Sequence, residues 1–317
     1  MKLFRNILII IMFGLSVSCA GNHGNDELLF LVSPKALTLD FWMRVRTGAE
    51  AAGEKLGVEI LWNGPALETD IAGQIAVVED HVNMGVDAIV IAACDARALI
   101  SPLQNAVDVG IPVVTIDSGI DSDLPATFVA TDNVEAARVA ARNMARLIGG
   151  SGKVGLIPHI PGASTSNERE QGFLEQIEAY PDIEVAHVLY SHAQAARGMM
   201  ITEDMLAATP DLAGIFAANE GGTIGAASAL ESQGVAGKVQ LIGFDSAPGA
   251  IDALNRGTVQ ALIVQNPWRM GYDGVVMAYK TLQGEQVPKR IDTGVTVVTT
   301  ENLQSPEIQA LLNPEAP

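Results

Sequence analysis

Cysteine is almost missing: Cys19 and Cys94 are the two in 317 residues. Two thiols cannot build the disulfide framework of a small secreted scaffold. Positive charge is also scarce. Lys and Arg number 19 against 37 Asp and Glu, a net charge of −18. A nucleic-acid partner needs a basic face to displace counterions, so DNA and RNA are excluded. The acidity itself serves solubility and does not point to a cationic ligand. Charged residues make up only 18% and apolar ones 48%, a balance that buries a sizeable core and excludes general disorder.

Sequence motifs of several chemistries are missing too. No GxGxxG follows a strand-like segment, and no GxSxG offers a nucleophilic serine. His23, His81, His159, His187 and His192 show no zinc-ligand spacing, and surface or loop roles are expected for them. The run Gly149-Gly150-Ser151-Gly152-Lys153 is followed by Val154, whereas a phosphate loop needs Ser or Thr there and a strand before it. It reads as a helix end leading into a strand. No cofactor and no metal are expected.

What is present starts with an export signal. Lys2 and Arg5 precede an apolar stretch over residues 7–15, and Ser16-Val17-Ser18 has the small-x-small form of a cleavage site. Spanning a bilayer takes about 20 apolar residues, so 1–18 reads as a signal peptide and not an anchor. Cys19 at the first mature position resembles a bacterial lipoprotein signal, in which that thiol takes a lipid. Ser16 stands where Leu is usual, with Leu15 one place further back. Ordinary secretion with a free N-terminal Cys is the other reading. Residues 19–26 read as a polar tether. With Cys19 lipidated, Cys94 is a lone small hydrophobe.

From there short apolar strands alternate with helical stretches. Strands are expected at 28–32, 58–62, 88–92, 113–116, 128–130, 154–157, 185–190, 214–217, 239–242, 259–264 and 295–298, with a helix over 133–148 that Asp132 caps. Near-continuous apolar strands between helices mean parallel sheets covered on both faces. There are too many strands for one open sheet, and they suit two lobes of five to six strands. The repeat of Gly85–Ile91 by 211–217 favours similar lobes. An eightfold (β/α)₈ barrel is the competing architecture.

Open parallel sheets bind ligands beyond the carboxyl ends of their strands. The residues found there are Ser33, Cys94-Asp95, Asp117, Asn219-Glu220, Phe244-Asp245 and Gln265-Asn266, with Arg169 on a following helix. Acceptors, donors and two-way amides together suit sugar hydroxyls, which both donate and accept. Phe41, Trp42 and Phe244 offer aromatic faces to the C–H surface of a ring.

The segments FWMRVRTGAEAAGEKLG (41–57), GIPVVTID (110–117), FVATDN (128–133), NEREQGF (167–173), PDLAGIFAANE (210–220), LIGFDS (241–246) and ALIVQNP (261–267), in this order, resemble the type I periplasmic sugar-binding proteins, the ribose-binding group most of all. The resemblance runs from about 28 to 298. It implies two doubly wound parallel-sheet lobes joined by three hinge strands, near Thr131, Gln265-Asn266 and 292–294. The N-terminal lobe is then 27–131 plus 266–294, and the C-terminal lobe 132–265 plus 295–317. Ligand contacts are implied for Phe41, Trp42, Asp117, Arg169, Asn219, Asp245 and Gln265.

The sequence also departs from the ribose-binding pattern. Ser118 stands where those proteins have Arg, and Ala92 where they have Asn. The loop 33–40 is longer and lacks their Asn-Pro. Asp40 and Asp95 are possible substitutes for the lost polar groups.

The function implied is extracytoplasmic capture of a sugar or polyol by closure of the lobes, for delivery to the permease of an ABC transporter. The protein is expected to be a non-catalytic monomer in the periplasm or cell envelope, touching the membrane only through its lipid. A subunit feeding a chemoreceptor or sensor kinase is the alternative. A glycoside-acting enzyme is a third reading, but Asp117 and Asp245, the carboxylates singled out, already have a binding assignment.

Overall fold

The computed structural model describes residues 28–314; the signal peptide, Cys19 and the tether lie outside the described residues. The strands that form the centre of each sheet are apolar on both faces. AIVI, VVTI and ALIV are buried along their whole length, which only a sheet with helices on both sides can provide. The chain begins with β1 (Leu28–Ser33), α1 (Asp40–Leu56), β2 (Val58–Trp62), α2 (Ile71–Met84), β3 (Ala88–Ile91), α3 (Ile100–Asp108), β4 (Val113–Ile116) and β5 (Phe128–Ala130). The alternation repeats in α4 (Asn133–Leu147), β6 (Gly152–Ile157), α5 (Ser164–Ile177), β7 (Ile183–Val188), α6 (Ala195–Ala208), β8 (Leu212–Ala217), α7 (Glu220–Ser232), β9 (Gln240–Phe244), α8 (Pro248–Asn255) and β10 (Ala261–Val264). Then come α9 (Pro267–Leu282), β11 (Arg290–Asp292), β12 (Thr296–Val298) and α10 (Pro306–Leu312). Among the described residues no helix is long and apolar enough to cross a membrane.

These strands make two open sheets, ordered β11-β5-β4-β3-β1-β2 and β12-β10-β9-β8-β6-β7. The orders superimpose strand for strand, so β4 matches β9 and β3 matches β8. The eightfold barrel is therefore set aside. Pairing is parallel except between β10 and β12. Sequence reading missed β11, a three-residue edge strand of sequence RID that is exposed at both ends and carries no apolar run.

The chain passes between the sheets in three places. It leaves β5 of the first sheet for α4, which packs beneath β8, β9 and β10. It leaves β10 of the second for α9, which packs on α1 and beneath β3, β4 and β5. It passes again between β11 and β12. Two of these crossings are tied together: Thr131 Oγ1 donates to the Gly294 carbonyl at 3.2 Å, and the Asp292 carboxylate accepts from Asp132 N at 3.3 Å. The return of α9 to the first lobe depends on small residues. A Cβ on Gly48 would lie 1.9 Å from the Trp268 carbonyl oxygen, and one on Gly271 2.0 Å from that of Val45, so α1 and α9 touch backbone to backbone. Asp132 caps α4 by accepting from Glu135 N at 3.0 Å. Gly149 and Gly150, both at positive φ, end that helix.

Candidate functional site

The loops at the carboxyl ends of both sheets face each other, and a cavity lies between them. Its first-lobe wall is Lys35, Leu39, Phe41, Trp42, Glu68 and Asp117; its second-lobe wall is His159, Arg169, Asn219, Glu220, Asp245 and Gln265.

Asp117 directly follows β4 and Asp245 directly follows the matching strand β9. Both have left-handed backbones, φ 51° and φ 70°. A non-glycine residue there is strained, and such strain is retained where the side chain must point a particular way. Asp245 is buried with its Oδ1 accepting from Gln265 Nε2 at 2.8 Å. Burial raises its pKa, against the opposing pull of Arg169. Arg169, on the second turn of α5, donates from Nε to Asn133 Oδ1 and from Nη1 to the Ala218 carbonyl, each at 2.8 Å. Those two bonds fix the guanidinium and leave Nη2 for the cavity. Asn219 Oδ1 caps α7 by accepting from Gly222 N at 2.9 Å, which leaves its amide NH₂ group for the cavity. Phe41 and Trp42 meet edge to face with centroids 4.8 Å apart.

Seven of the eight residues expected from the sequence thus line one cavity. Phe244 does not. It is fully buried beneath Arg169, whose guanidinium carbon sits 3.7 Å from its ring centroid, and it packs against Phe216. Phe244, the last residue of β9, turns into the core and supports the arginine, while the left-handed backbone at Asp245 carries the next side chain to the cavity. Neither proposed substitute reaches the cavity wall. Asp95 Oδ1 accepts from Arg97 N and Ala98 N in its own turn, and Asp40 contributes its backbone N–H to Glu220.

Sequence reading missed Lys35, Glu68 and His159 as members of the wall, and placed Glu220 at a strand end without counting it among the contacts. Lys35 and His159 each lie two residues beyond matching strands, β1 and β6. Lys35 donates to Ser118 Oγ at 2.9 Å and Thr165 Oγ1 at 3.3 Å, and lies 3.1 Å from Asp117 Oδ2 and 3.8 Å from Glu68 Oε2. It sets a cation against Ser118, the position at which the resemblance led to an expectation of Arg. Burial would push its pKa down, but Asp117 and Glu68 together outweigh that and raise it. His159 shares Thr165 Oγ1 at 3.1 Å. Burial, with Lys35 and Arg169 nearby, holds its imidazole well below the ordinary pKa, so the ring is neutral. His159 lies in a loop, one of the two roles expected for it, but is buried there and not on the surface. The signal for Lys35, Glu68 and His159 lay in reading two to six positions past every strand, β2 included.

A cavity between two matched α/β lobes, walled by hydrogen-bonding groups from both, defines a two-lobed small-molecule binding protein. The chain belongs to the periplasmic binding protein domain family, whose model matches residues 30–286, and it is of the type I, sugar-binding kind. It is 30% identical to a D-ribose/D-allose-binding protein of Pseudomonas aeruginosa, over 86% of this chain and 87% of that one. A carbohydrate transporter solute-binding protein from Agrobacterium radiobacter, solved in complex with D-arabinose, superimposes with a TM-score of 0.89 at 36% identity, over 92% of this chain and 100% of the other. An ABC transporter solute-binding protein from Agrobacterium vitis with bound D-fucose gives 0.87 at 39% identity, over 89% and 98%. These relatives are named as sugar- or solute-binding proteins, the one from Agrobacterium vitis as that of an ABC transporter.

Proposed function

We propose that this protein captures one uncharged monosaccharide or polyol between its lobes and presents it to the permease of an ABC importer, without turning it over. The observation that carries the reading is the shared cavity: Asp117 and Asp245, at two strand ends, and Arg169, on α5, come from two lobes and converge with Trp42 on one space. Phe41, Trp42, Asp117, Arg169, Asn219, Asp245 and Gln265 are the proposed contacts. The lining carries two cations, Lys35 and Arg169, and four carboxyl groups, Glu68, Asp117, Glu220 and Asp245. Lys35 is already paired with Asp117, and the carboxyl groups outnumber the cations, so an acidic sugar meets net repulsion.

The lobes divide at 131/132, 265/266 and 294/295, and closure about these hinges is driven by contacts made only in the closed form. The mature protein works outside the cytoplasm, held to the envelope by lipid on Cys19. Importer delivery is favoured over a sensor role because the sugar-binding relatives serve ABC transporters.

The test is a thermal-shift panel of D-ribose, D-allose, D-arabinose, D-fucose, D-tagatose and xylitol, with D-galacturonate and D-ribonate as anionic controls. Binding raises stability by RT ln(1 + [L]/Kd). At least one neutral compound should raise Tm by several degrees and neither acid should. A shift with the acids alone would overturn the reading.

A further inference from the structure

Glu68 is the least expected member of the cavity wall. It lies six residues beyond β2, in the loop before α2, and is 7% exposed. Its two oxygens have different surroundings. Oε1 accepts from the Trp42 indole Nε1–H at 2.9 Å. Oε2 is buried without a hydrogen-bond partner, its nearest cation being Lys35 at 3.8 Å. A buried carboxylate oxygen left without a donor is costly, more so than a neutral group. Buried, unpartnered polar atoms in native proteins call for an explanation, and on a ligand-cavity wall the direct one is a ligand donor.

Lys35 does not supply that donor. Its three N–H bonds are matched by Ser118 Oγ, Thr165 Oγ1 and Asp117 Oδ2, at 2.9, 3.3 and 3.1 Å. It neutralises charge between Asp117 and Glu68 while its protons point elsewhere. Trp42, in turn, is held by two contacts: the Glu68 bond at its edge through Nε1, and the Lys35 ammonium over its ring, 5.6 Å from the centroid.

We propose that Glu68 is a specificity-determining ligand contact of the first lobe. Oε2 accepts a hydrogen bond from one ligand hydroxyl while Oε1 sets the plane of the Trp42 ring against which the sugar lies. Lys35 is the positioning residue that holds Glu68 and Asp117 side by side. This inference rests on the sugar-binding reading above and goes beyond it by assigning a hydroxyl-reading group that the family resemblance did not supply. It requires a ligand with a hydroxyl donor at the Trp42 side of the ring. Removing that hydroxyl from the ligand, or the acceptor from the protein, should cost binding once and not twice.

The experiment is a titration-calorimetry cycle with the panel sugar that gives the largest thermal shift and its monodeoxy analogues, on the wild type and on Glu68→Gln. In the wild type one deoxy position should weaken binding at least tenfold. Glu68→Gln should weaken the parent sugar by a similar factor, and against this variant the same deoxy analogue should bind within about threefold of the parent, the non-additivity expected of a direct contact. A cooperative thermal melt of Glu68→Gln guards against misfolding, and Glu68→Ala, which removes the acceptor without adding a donor, should show the same loss of discrimination. Equal discrimination by the wild type and Glu68→Gln at every position overturns the proposal while leaving sugar binding intact. A wild type that binds no panel sugar overturns both this inference and the reading it rests on.

Discussion

At the scale of single residues, the two aspartates at matched strand ends are the most telling feature. Asp117 and Asp245 hold left-handed backbones that glycine would adopt without strain. Asp245 is in addition a buried carboxyl whose pKa burial raises. Both features cost stability in the unliganded protein and make sense if the carboxylate is aimed at a ligand. Asp245→Gly should therefore leave the unliganded Tm equal to or above that of the wild type, while weakening sugar binding at least tenfold. The tenfold figure reflects loss of a charge-assisted hydrogen bond worth roughly 1.5–3 kcal/mol. Thermal melts and calorimetry on the same samples check both halves; a lower Tm with unchanged affinity would make Asp245 a structural residue. This pairing was half legible in the sequence. That Asp follows an apolar strand could be read directly, but its backbone angle could not. Nor could the packing of Phe244 in the core beneath Arg169.

At the scale of elements, the start of α1 depends on the other lobe. Its N-cap, Leu39, offers no side-chain acceptor. Glu220, the first residue of α7, supplies one instead, accepting from Phe41 N at 3.0 Å and Asp40 N at 3.3 Å. Burial first, with Asp245 and Asp40 adding to it, pushes the Glu220 carboxyl from 4.5 to about 7. In an open form with Glu220 in water, its pKa returns towards the ordinary value. Closure then takes up a proton between about pH 4.5 and 7. A carboxyl whose closed-state pKa is raised favours closure at low pH and loses that contribution as pH rises through 7. His159 acts in the opposite sense: its depressed pKa removes stability as pH falls below 6.5. Comparison with Glu220→Gln separates the two, because His159 is common to both proteins. The ratio of wild-type to variant Kd should rise at least tenfold from pH 5 to pH 8, and a ratio constant across that range would remove Glu220 from the closure equilibrium.

Elements were also where sequence reading did best and where its limit shows. Eleven strand-like segments were visible because both faces of each inner strand are buried and their apolar runs are continuous. The strand β11 was not, since an exposed edge needs no apolar run. Lys35 and Glu68 escaped notice because loop residues owe their placement to the loop's path, and no periodicity records it.

At the scale of the molecule, the two sheets repeat one strand order, and the cavity lies where their carboxyl ends oppose. That arrangement follows from topology: three crossings bring α9 back to the first lobe and leave β12 with the second. Polar bonds already join the lobes around the cavity, Lys35 to Thr165 at 3.3 Å and Gly119 N to Ser164 Oγ at 3.0 Å among them. The ligand is thus expected to add to a closed set of protein contacts, completing the acceptors on Glu68 and Gln265 that the protein leaves unpaired. The direct measurement is a crystal structure with the panel sugar that most raises Tm. The account predicts a single ring lying against Trp42, within hydrogen-bonding distance of Asp117, Arg169 and Asp245 at once. A sugar bound outside that cavity, or held by one lobe alone, would contradict it.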